Sequence, residues 1–195
     1  MVEWETPSLG EMGTPVVSVV FGKDLSSEDL QIINAGRKQE FNSQTPIAPV
    51  PTDENWDKPY FLVRDGNELV AFGRLHEVNV QFQNERHSVL GIATIVAIKK
   101  GEGYGKKLME KMREYIESTG KTAIGFCGSS VSGFYEKSGY GILKGGVKRV
   151  VYQDDSGRLP SAVGEDVIYI EGKDGLIAKM TMSPDDKIIA HRAPW

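Results

Sequence analysis

The chain has 195 residues, of which 39% are hydrophobic and 26% charged, with a formal net charge of −4. This composition is typical of one globular domain, and the acidic balance disfavours nucleic acid or an anionic membrane as partner while fitting a cationic substrate. The single cysteine, Cys127, excludes an internal disulfide framework, and three scattered histidines offer no metal-ligand spacing, so no metal is expected. The longest apolar runs are shorter than 18 residues and the first residues are acidic, which predicts a cytoplasmic protein.

The first half of the chain predicts strands and one helix around a proline-rich loop. Residues 1–13 form a patternless arm, and residues 42–56 contain three prolines and cannot form a regular element. Asp65-Gly66-Asn67 is a strong turn signal, so the strands on either side of it are expected to pair as a hairpin. The elements expected in order are a strand at Pro15 to Gly22, a helix from Leu25 to Phe41 that starts near Asp24 or Ser26, and strands at Tyr60 to Arg64, Glu68 to Phe82 and His87 to about Ile98.

The second half opens with the best-marked helix, Gly103 to Ser118. One apolar stripe runs along it, and Gly120 supplies a C-terminal stop. A buried strand at Thr122 to Cys127, a short helix at Ser129 to Ser138 and a strand at Lys148 to Gln153 follow. Residues 154–195 are expected to form a C-terminal extension with extra strands, for which the apolar stretches are Asp166 to Glu171 and Ile177 to Met182.

This order predicts a single α+β domain over residues 1–195 with its core at residues 14–153. The sheet is expected to be mixed but mostly antiparallel, because its strands come mainly as hairpins, and to be flanked by helices. One strand–helix–strand crossover lies in the middle of the chain, around the stretch from Thr94 to Lys107.

That central stretch reads TIVAIKKGEGYGKK and predicts an anion site. Glycines at positions 101, 103 and 105 leave backbone N–H groups uncovered and permit positive φ, and the N–H groups that open a helix lack partners in a region of partial positive charge. A strand, a glycine loop and a helix N-terminus together can bind a pyrophosphate. The alternative is a tight turn without a ligand. A Walker loop is disfavoured because no Gly-Lys-Ser/Thr follows, and a dinucleotide fingerprint lacks its parallel-sheet context.

Two motifs resemble those of the GNAT superfamily of acyl-CoA N-acyltransferases. Lys100, Gly103 and Gly105 fill the places of the motif Arg/Gln-x-x-Gly-x-Gly/Ala that follows a strand, with Lys in place of Arg or Gln. About thirty residues later, the segment from Phe134 to Tyr140 (FYEKSGY) is similar to the Phe/Leu-Tyr-Glu-x-x-Gly-Phe segment that closes the core of the GNAT fold. The resemblance covers residues 14–153 and implies the GNAT fold with a central acyl-CoA-binding unit.

The chain also resembles, more faintly, the aminoglycoside 2′-N-acetyltransferase group. The shared features are the serine pair Ser129 and Ser130, extra strands after the core and a C-terminal tryptophan. In that group the terminal carboxylate helps to hold the polyamine substrate, which implies a substrate-binding role for Trp195. One departure puts this activity in doubt, because Gly91 stands where that group has its catalytic glutamate.

The GNAT resemblance implies that acetyl-CoA is bound as cosubstrate by the glycine loop and by the strand before it. The strand edge around Ala93 to Ile95 would pair with the pantetheine arm as a short extra strand does. The residues assigned to the cofactor are Ala93, Thr94, Ile95, Lys100, Gly101, Glu102, Gly103, Tyr104, Gly105 and Lys106.

The reaction implied is attack of a primary amine on the thioester, and it needs an acid and a base. Tyr135 is the candidate general acid, because a phenol with a pKa of about 10 is protonated at neutral pH and can protonate a departing thiolate. For the base, His76 and Glu77 are the leading candidates, with Glu85, His87 and the terminal carboxylate as further ones, and the alternation of the strand does not choose between them. Cys127 is interpreted as a buried core residue, not as a nucleophile.

The sequence thus predicts an N-acetyltransferase that acts on a small-molecule primary amine by direct attack, with no nucleic-acid or membrane partner and with a homodimer left open. Two alternatives remain. One is a protein or peptide amine acetyltransferase, and the other is a catalytically inactive acyl-CoA-binding or sensor protein, which the residue at Gly91 would suit.

Overall fold

The computed structural model describes residues 14–51, 55–153 and 164–191, and within them nine strands form one sheet with four helices against it. The strands are β1 (Val16–Phe21), β2 (Pro59–Asp65), β3 (Glu68–Phe82), β4 (Glu85–Ala97), β5 (Ala123–Cys127), β6 (Gly141–Leu143), β7 (Val150–Gln153), β8 (Asp166–Ile170) and β9 (Ile188–His191). The helices are α1 (Ser27–Phe41), α2 (Tyr104–Thr119), α3 (Ser132–Lys137) and α4 (Leu176–Met182). Two 3-10 turns lie at Gly22–Asp24 and Gly146–Arg149.

The sheet is mixed and mostly antiparallel, which confirms the predicted fold class. Its strand order is β1-β2-β3-β4-β5-β8-β6, while β9 pairs with the second half of β3 and β7 pairs with β9. Among the strands that the structure describes, the β4–β5 and β7–β9 pairs are parallel and the others antiparallel, and β4 is connected to β5 through α2. The central strand–helix–strand unit predicted from the sequence is therefore present.

The helix boundaries follow local signals that the sequence carries. Ser26 caps α1 by accepting a 3.0 Å hydrogen bond from the N–H of Asp29, which decides between the two predicted starts. The second helix begins after Gly103 and ends at Gly120, both in the left-handed conformation. Its apolar stripe packs into the main core against β2, β3 and β4 through the buried residues Leu108, Met109, Met112 and Ile116.

The C-terminal strands are inserted into the sheet. β8 lies between β5 and β6, and β9 lies beside β3, so residues after 163 contribute to the central layer. The interpretation of Ile177 to Met182 as a strand is wrong, because this stretch belongs to α4. Gly175 precedes the helix in the left-handed conformation, and Leu176, Ile177 and Met180 bury one helical face against a second core.

None of the helices in the described parts of the chain is long and apolar enough to cross a membrane.

Candidate active site

The site is built where the parallel strands β4 and β5 separate. They are paired at only two positions, Leu90 with Ala123 and Gly91 with Ile124, and they diverge beyond these pairs. On its other side β4 contains a bulge, since its register with β3 shifts between Phe72 and Arg74 and Thr94 adopts a φ of +58°. A bulge bends a strand, and a β-branched residue at positive φ is strained, a combination that marks functional sites.

A cavity of about 960 Å³ occupies this gap. One wall is β4 from Ile92 to Ala97 with the glycine loop beyond it, and the opposite wall is the end of β5 with α3. The end of α1 closes the rim through Glu40 and Phe41, and Ile168 of β8 contributes a further apolar contact. The cavity is thus lined by a polar loop at its mouth and by apolar residues between the two strands.

The glycine loop lies at the mouth of the cavity with its backbone open. Gly101 and Gly103 have φ of +86° and +82°, and a Cβ atom added to either would meet no described atom within 4 Å. Gly103 occupies the N-cap position of α2 and supplies no side-chain cap, so the first N–H groups of the helix remain available to a ligand. The loop therefore combines free donors with space, as an anionic ligand needs.

Eight of the ten residues predicted to bind the cofactor line the cavity. They are Ala93, Thr94, Ile95, Lys100, Gly101, Gly103, Gly105 and Lys106. Lys100 crosses the mouth to an ion pair with Glu40 at 2.9 Å, and Lys106 lies 3.6 Å from Glu110 one turn along α2.

The other two predicted cofactor residues, Glu102 and Tyr104, are not among the lining residues. Tyr104 is buried instead, and its hydroxyl donates a hydrogen bond to Asp65, which raises the pKa of the phenol. This bond ties the start of α2 to the turn between β2 and β3 and so fixes the position of the loop.

Tyr135 lines the cavity from α3, on the wall opposite the glycine loop. Its ring packs edge-to-face against Phe134 and Tyr140, with centroids 5.1 Å and 6.4 Å away. Burial, followed by the nearby Cys127 and Glu40, raises the pKa of Tyr135 to about 12. The phenol is therefore protonated throughout the physiological pH range, as a general acid must be before the reaction.

Cys127 also lines the cavity, at the end of β5. Burial, and then the negative charge of Asp166, raises the pKa of its thiol to about 11. A neutral thiol is a poor nucleophile, so the environment of Cys127 agrees with its interpretation as a core residue.

The candidate bases lie on opposite faces of the sheet. His76 pairs with Gly91 across β3 and β4, and burial together with Arg74 and Lys58 lowers its pKa to about 3. Glu77 pairs with Leu90, is exposed on the α2 face and accepts a hydrogen bond from Lys121. Neither side chain lines the cavity, so the choice of base stays a prediction.

The remaining candidates are farther from the gap or outside the description. Glu85 begins β4 and binds Lys179, and His87 lies near it with Nδ1 3.1 Å from Asp174. The proposed substrate residue Trp195 lies outside the described residues, so its role stays a prediction.

Sequence reasoning missed part of the cavity wall. The missed residues come from α1, the end of β5, the start of α3 and β8, and they are Glu40, Phe41, Phe126, Gly128, Val131, Gly164 and Ile168. No local motif marks them, because their common position follows from strand pairing between distant segments. Phe41 and Val131 are apolar and exposed, a feature of ligand-binding surfaces that becomes visible only in the structure.

The comparison with family models identifies the protein class. The model of the acetyltransferase (GNAT) family matches residues 30–140, more than half of the chain. The chain therefore belongs to the GNAT family and is an acyltransferase, and members of this family use acyl-CoA. This confirms the superfamily resemblance, while the fainter resemblance to aminoglycoside 2′-N-acetyltransferases stays a prediction.

Solved structures share the fold at low sequence identity. ElaA of Escherichia coli is 18% identical with a TM-score of 0.53, and the match covers 80% of this chain and 98% of ElaA. An acyl-CoA N-acyltransferase from Pseudomonas aeruginosa is 16% identical with a TM-score of 0.51, covering 79% of this chain and 97% of that one. BjaI, a CoA-dependent acyl-homoserine lactone synthase, is 12% identical with a TM-score of 0.53, covering 93% and 95%. Comparison with curated protein sequences finds no match.

Proposed function

We propose that this protein is an N-acetyltransferase that transfers the acetyl group of acetyl-CoA to a primary amine of a small molecule by direct attack. The observation that carries the proposal is the gap between β4 and β5, which has an open glycine loop at its mouth and a protonated tyrosine on its wall. An anionic thioester cosubstrate needs a site for its phosphates and an acid for its leaving thiolate, and this gap offers both.

The cosubstrate would be held by backbone groups more than by side chains. The backbone N–H groups from Gly101 to Lys106 would bind the pyrophosphate. Lys100 would leave its ion pair with Glu40 and bind a phosphate instead. The pantetheine arm would add to the free edge of β4 at Ala93 to Ile95, which β5 leaves unpaired in this region. Thr94 lies at the bulge and lines the cavity, so we assign stabilisation of the developing oxyanion to backbone N–H groups of this segment.

In the chemical step the amine nitrogen loses one proton and the departing sulfur receives one. The amine nitrogen bonds to the carbonyl carbon, the C–S bond breaks, and Tyr135 gives its proton to the departing sulfur. The amine loses its proton to water or to one of the candidate bases. Burial and nearby cations lower the pKa of His76 to about 3, so it is uncharged near neutral pH, and because its side chain does not line the cavity the identity of the base is left open.

Calorimetric titration with acetyl-CoA, followed by an assay of thiol release against a panel of amines, tests the proposal. Micromolar binding with release on at least one amine is the expected result. Binding without release on any small amine or peptide would replace it with an inactive acyl-CoA sensor, and release on peptides alone would replace it with peptide acetylation. The absence of binding would overturn the interpretation of the glycine loop.

A further inference from the structure

A buried arginine lies beside the proposed reaction site without a carboxylate partner among the described residues. Arg74 pairs with Ala93 across β3 and β4, and Ala93 lines the cavity. Directly paired residues of antiparallel strands project from the same face with Cβ atoms about 5 Å apart. The guanidinium of Arg74 therefore leaves the sheet next to the bulge at which the thioester would be held.

Within residues 14–51, 55–153 and 164–191, the polar contacts of Arg74 leave part of its guanidinium without a hydrogen-bond partner. The side chain is only 8% exposed, its Nη1 donates to the side-chain oxygen of Asn55, and its Nε donates to no acceptor among the described residues. A guanidinium is always charged in proteins, and a buried charge is costly unless it is paired. Arg64 of β2 shows the usual arrangement, since it binds the buried carboxylate of Asp29.

Among the described residues, two further cations, Arg37 and Lys58, act electrostatically in the region of Arg74. Arg37 of α1 has a lowered pKa because of burial and then because of Arg74, and its own hydrogen bonds go to the neutral oxygens of Asn34, Ser43 and Thr45. Arg74 and Lys58 likewise lower the pKa of His76. Several cations thus act on one region of the sheet face that carries Ala93.

We propose that the acceptor amine carries an acidic group, a carboxylate or a phosphate, which the guanidinium of Arg74 binds. The inference rests on the proposed acetyltransferase function and specifies its substrate class. The acid of the acceptor supplies the missing counter-charge, and the fork of the arginine matches the oxygens of either group. The substrate would then enter from the α1 face of the sheet, past residues 42–51, while Tyr135 acts from the α2 face.

The test compares each acidic amine with a partner that lacks the acidic group, and the two carboxylates are compared with amides of nearly the same shape. 4-Aminobutyrate is paired with 4-aminobutyramide, β-alanine with its amide, and O-phosphoethanolamine with ethanolamine, so that carboxylate and phosphate acceptors are read separately. We expect kcat/KM for the preferred acid to exceed that of its neutral partner by about tenfold or more, because a hydrogen bond between charged groups contributes about this factor. Equal use of the acidic and neutral members would overturn the proposal.

Three substitutions test whether Arg74 causes the preference for an acidic amine over its neutral partner. The substitution Arg74→Met should raise the KM of the acidic amine until the acid-to-neutral ratio is about one, while the retained affinity for acetyl-CoA shows that the fold is intact. Arg74→Lys keeps the charge but not the fork and should give an intermediate ratio. Arg86→Met removes an exposed arginine at the start of β4 and should leave the ratio unchanged. A ratio that survives Arg74→Met would contradict the assignment.

Two further measurements separate a failure of this proposal from a failure of the proposed acetyltransferase function. If no amine releases thiol, the proposed acetyltransferase function is wrong. Calorimetric titration of the protein–CoA complex with each acidic amine and with its neutral partner still measures whether Arg74 binds an anion. Asp53 and Glu54 lie outside the described residues, so the double variant D53N/E54Q asks whether the chain neutralises Arg74 itself. An acid preference that is absent from the wild type and appears in this variant would overturn the proposal, and the same preference in both supports it.

Discussion

At the scale of single residues, the site depends on a few groups whose surroundings set their chemistry. The phenol of Tyr135 and the thiol of Cys127 both lie on the cavity wall, and burial raises both pKa values. The same cause has opposite consequences, because a proton donor must stay protonated whereas a nucleophile must lose its proton. The environment therefore favours an acid role for Tyr135 and disfavours covalent catalysis by Cys127.

Replacing Tyr135 by Phe should lower kcat by about 100-fold, the size of a lost general acid, with little change in the affinity for acetyl-CoA. Because the pKa of Tyr135 is about 12, the wild-type enzyme should lose no activity through this group below about pH 10. Steady-state kinetics over pH 6–10 together with calorimetry measure both effects. An unchanged kcat would remove Tyr135 from the mechanism.

Gly103→Asp should abolish acetyl-CoA binding, because the new carboxylate would occupy the open space of the loop and repel phosphate. Gly175→Asp is a matched control, since Gly175 is also a left-handed N-cap with no atom within 4 Å of an added Cβ, but lies at the start of α4. Calorimetric titration should find binding lost in the first variant and retained in the second. Normal affinity in Gly103→Asp would refute the phosphate role of the loop.

At the scale of elements, the function depends on how far β4 and β5 stay together before they separate. Their last pair is Gly91 with Ile124, and the next residues, Ile92 and Gly125, lie where the gap begins. A Cβ atom on Gly125 would come within 2.9 Å of the Cβ of Ile92 and 3.0 Å of the Cγ1 of Ile168. The small residue thus allows three strands to approach closely at the apex of the cavity.

The substitution Gly125→Ala should destabilise the fold by about 1–3 kcal/mol, the usual cost of overpacking, and should weaken acetyl-CoA binding by moving the strands apart. Gly133→Ala provides the comparison, because Gly133 lies in α3 and an added Cβ there meets no atom within 4 Å. Denaturant unfolding and calorimetry report the two effects. Equal stability of both variants would mean that the apex tolerates the added methyl group.

At the scale of the whole molecule, the C-terminal segment is tied into the sheet by buried polar contacts. Asp166 begins β8 and accepts hydrogen bonds from the N–H of Gly145 at 2.8 Å and from Lys144 at 3.1 Å. Lys144 also donates to Ser132 at the start of α3, the helix that carries Tyr135. The late strand and the proposed acid are therefore held together by one polar network.

The pKa of Asp166 is lowered, chiefly by the hydrogen bond from Gly145. Burial opposes this shift, and the contact with Lys144 adds to it. A carboxylate with a lowered pKa in the folded state stabilises the protein above its unfolded pKa of about 3.9, and this contribution is lost as the pH falls through the folded-state value. Asp166→Asn should therefore lower the melting temperature at pH 7, and its difference from the wild type should shrink near pH 3. The exposed Asp185→Asn is the control, and a pH-independent difference would contradict the charge argument.

The sequence by itself determined the fold class and predicted most of the glycine loop that lines the cavity. Both are local properties, since glycines at positions 101, 103 and 105, a helical stripe and an FYEKSGY segment are readable without knowing which strands pair. The same holds for Tyr135, which one motif marks.

Only the tertiary structure decided what surrounds these residues. Contacts between residues far apart in the chain decide the insertion of β8 beside β5, the apolar wall that contains Phe126 and Ile168, and the position of Arg74 beside Ala93. Strand alternation puts His76 and Glu77 on opposite faces but does not say which face each one takes, whereas the pairing of β3 with β4 and the packing of α2 place Glu77 on the α2 side. Pairing register is a long-range property, and a shift of one residue reverses every face, so no local pattern could have fixed it.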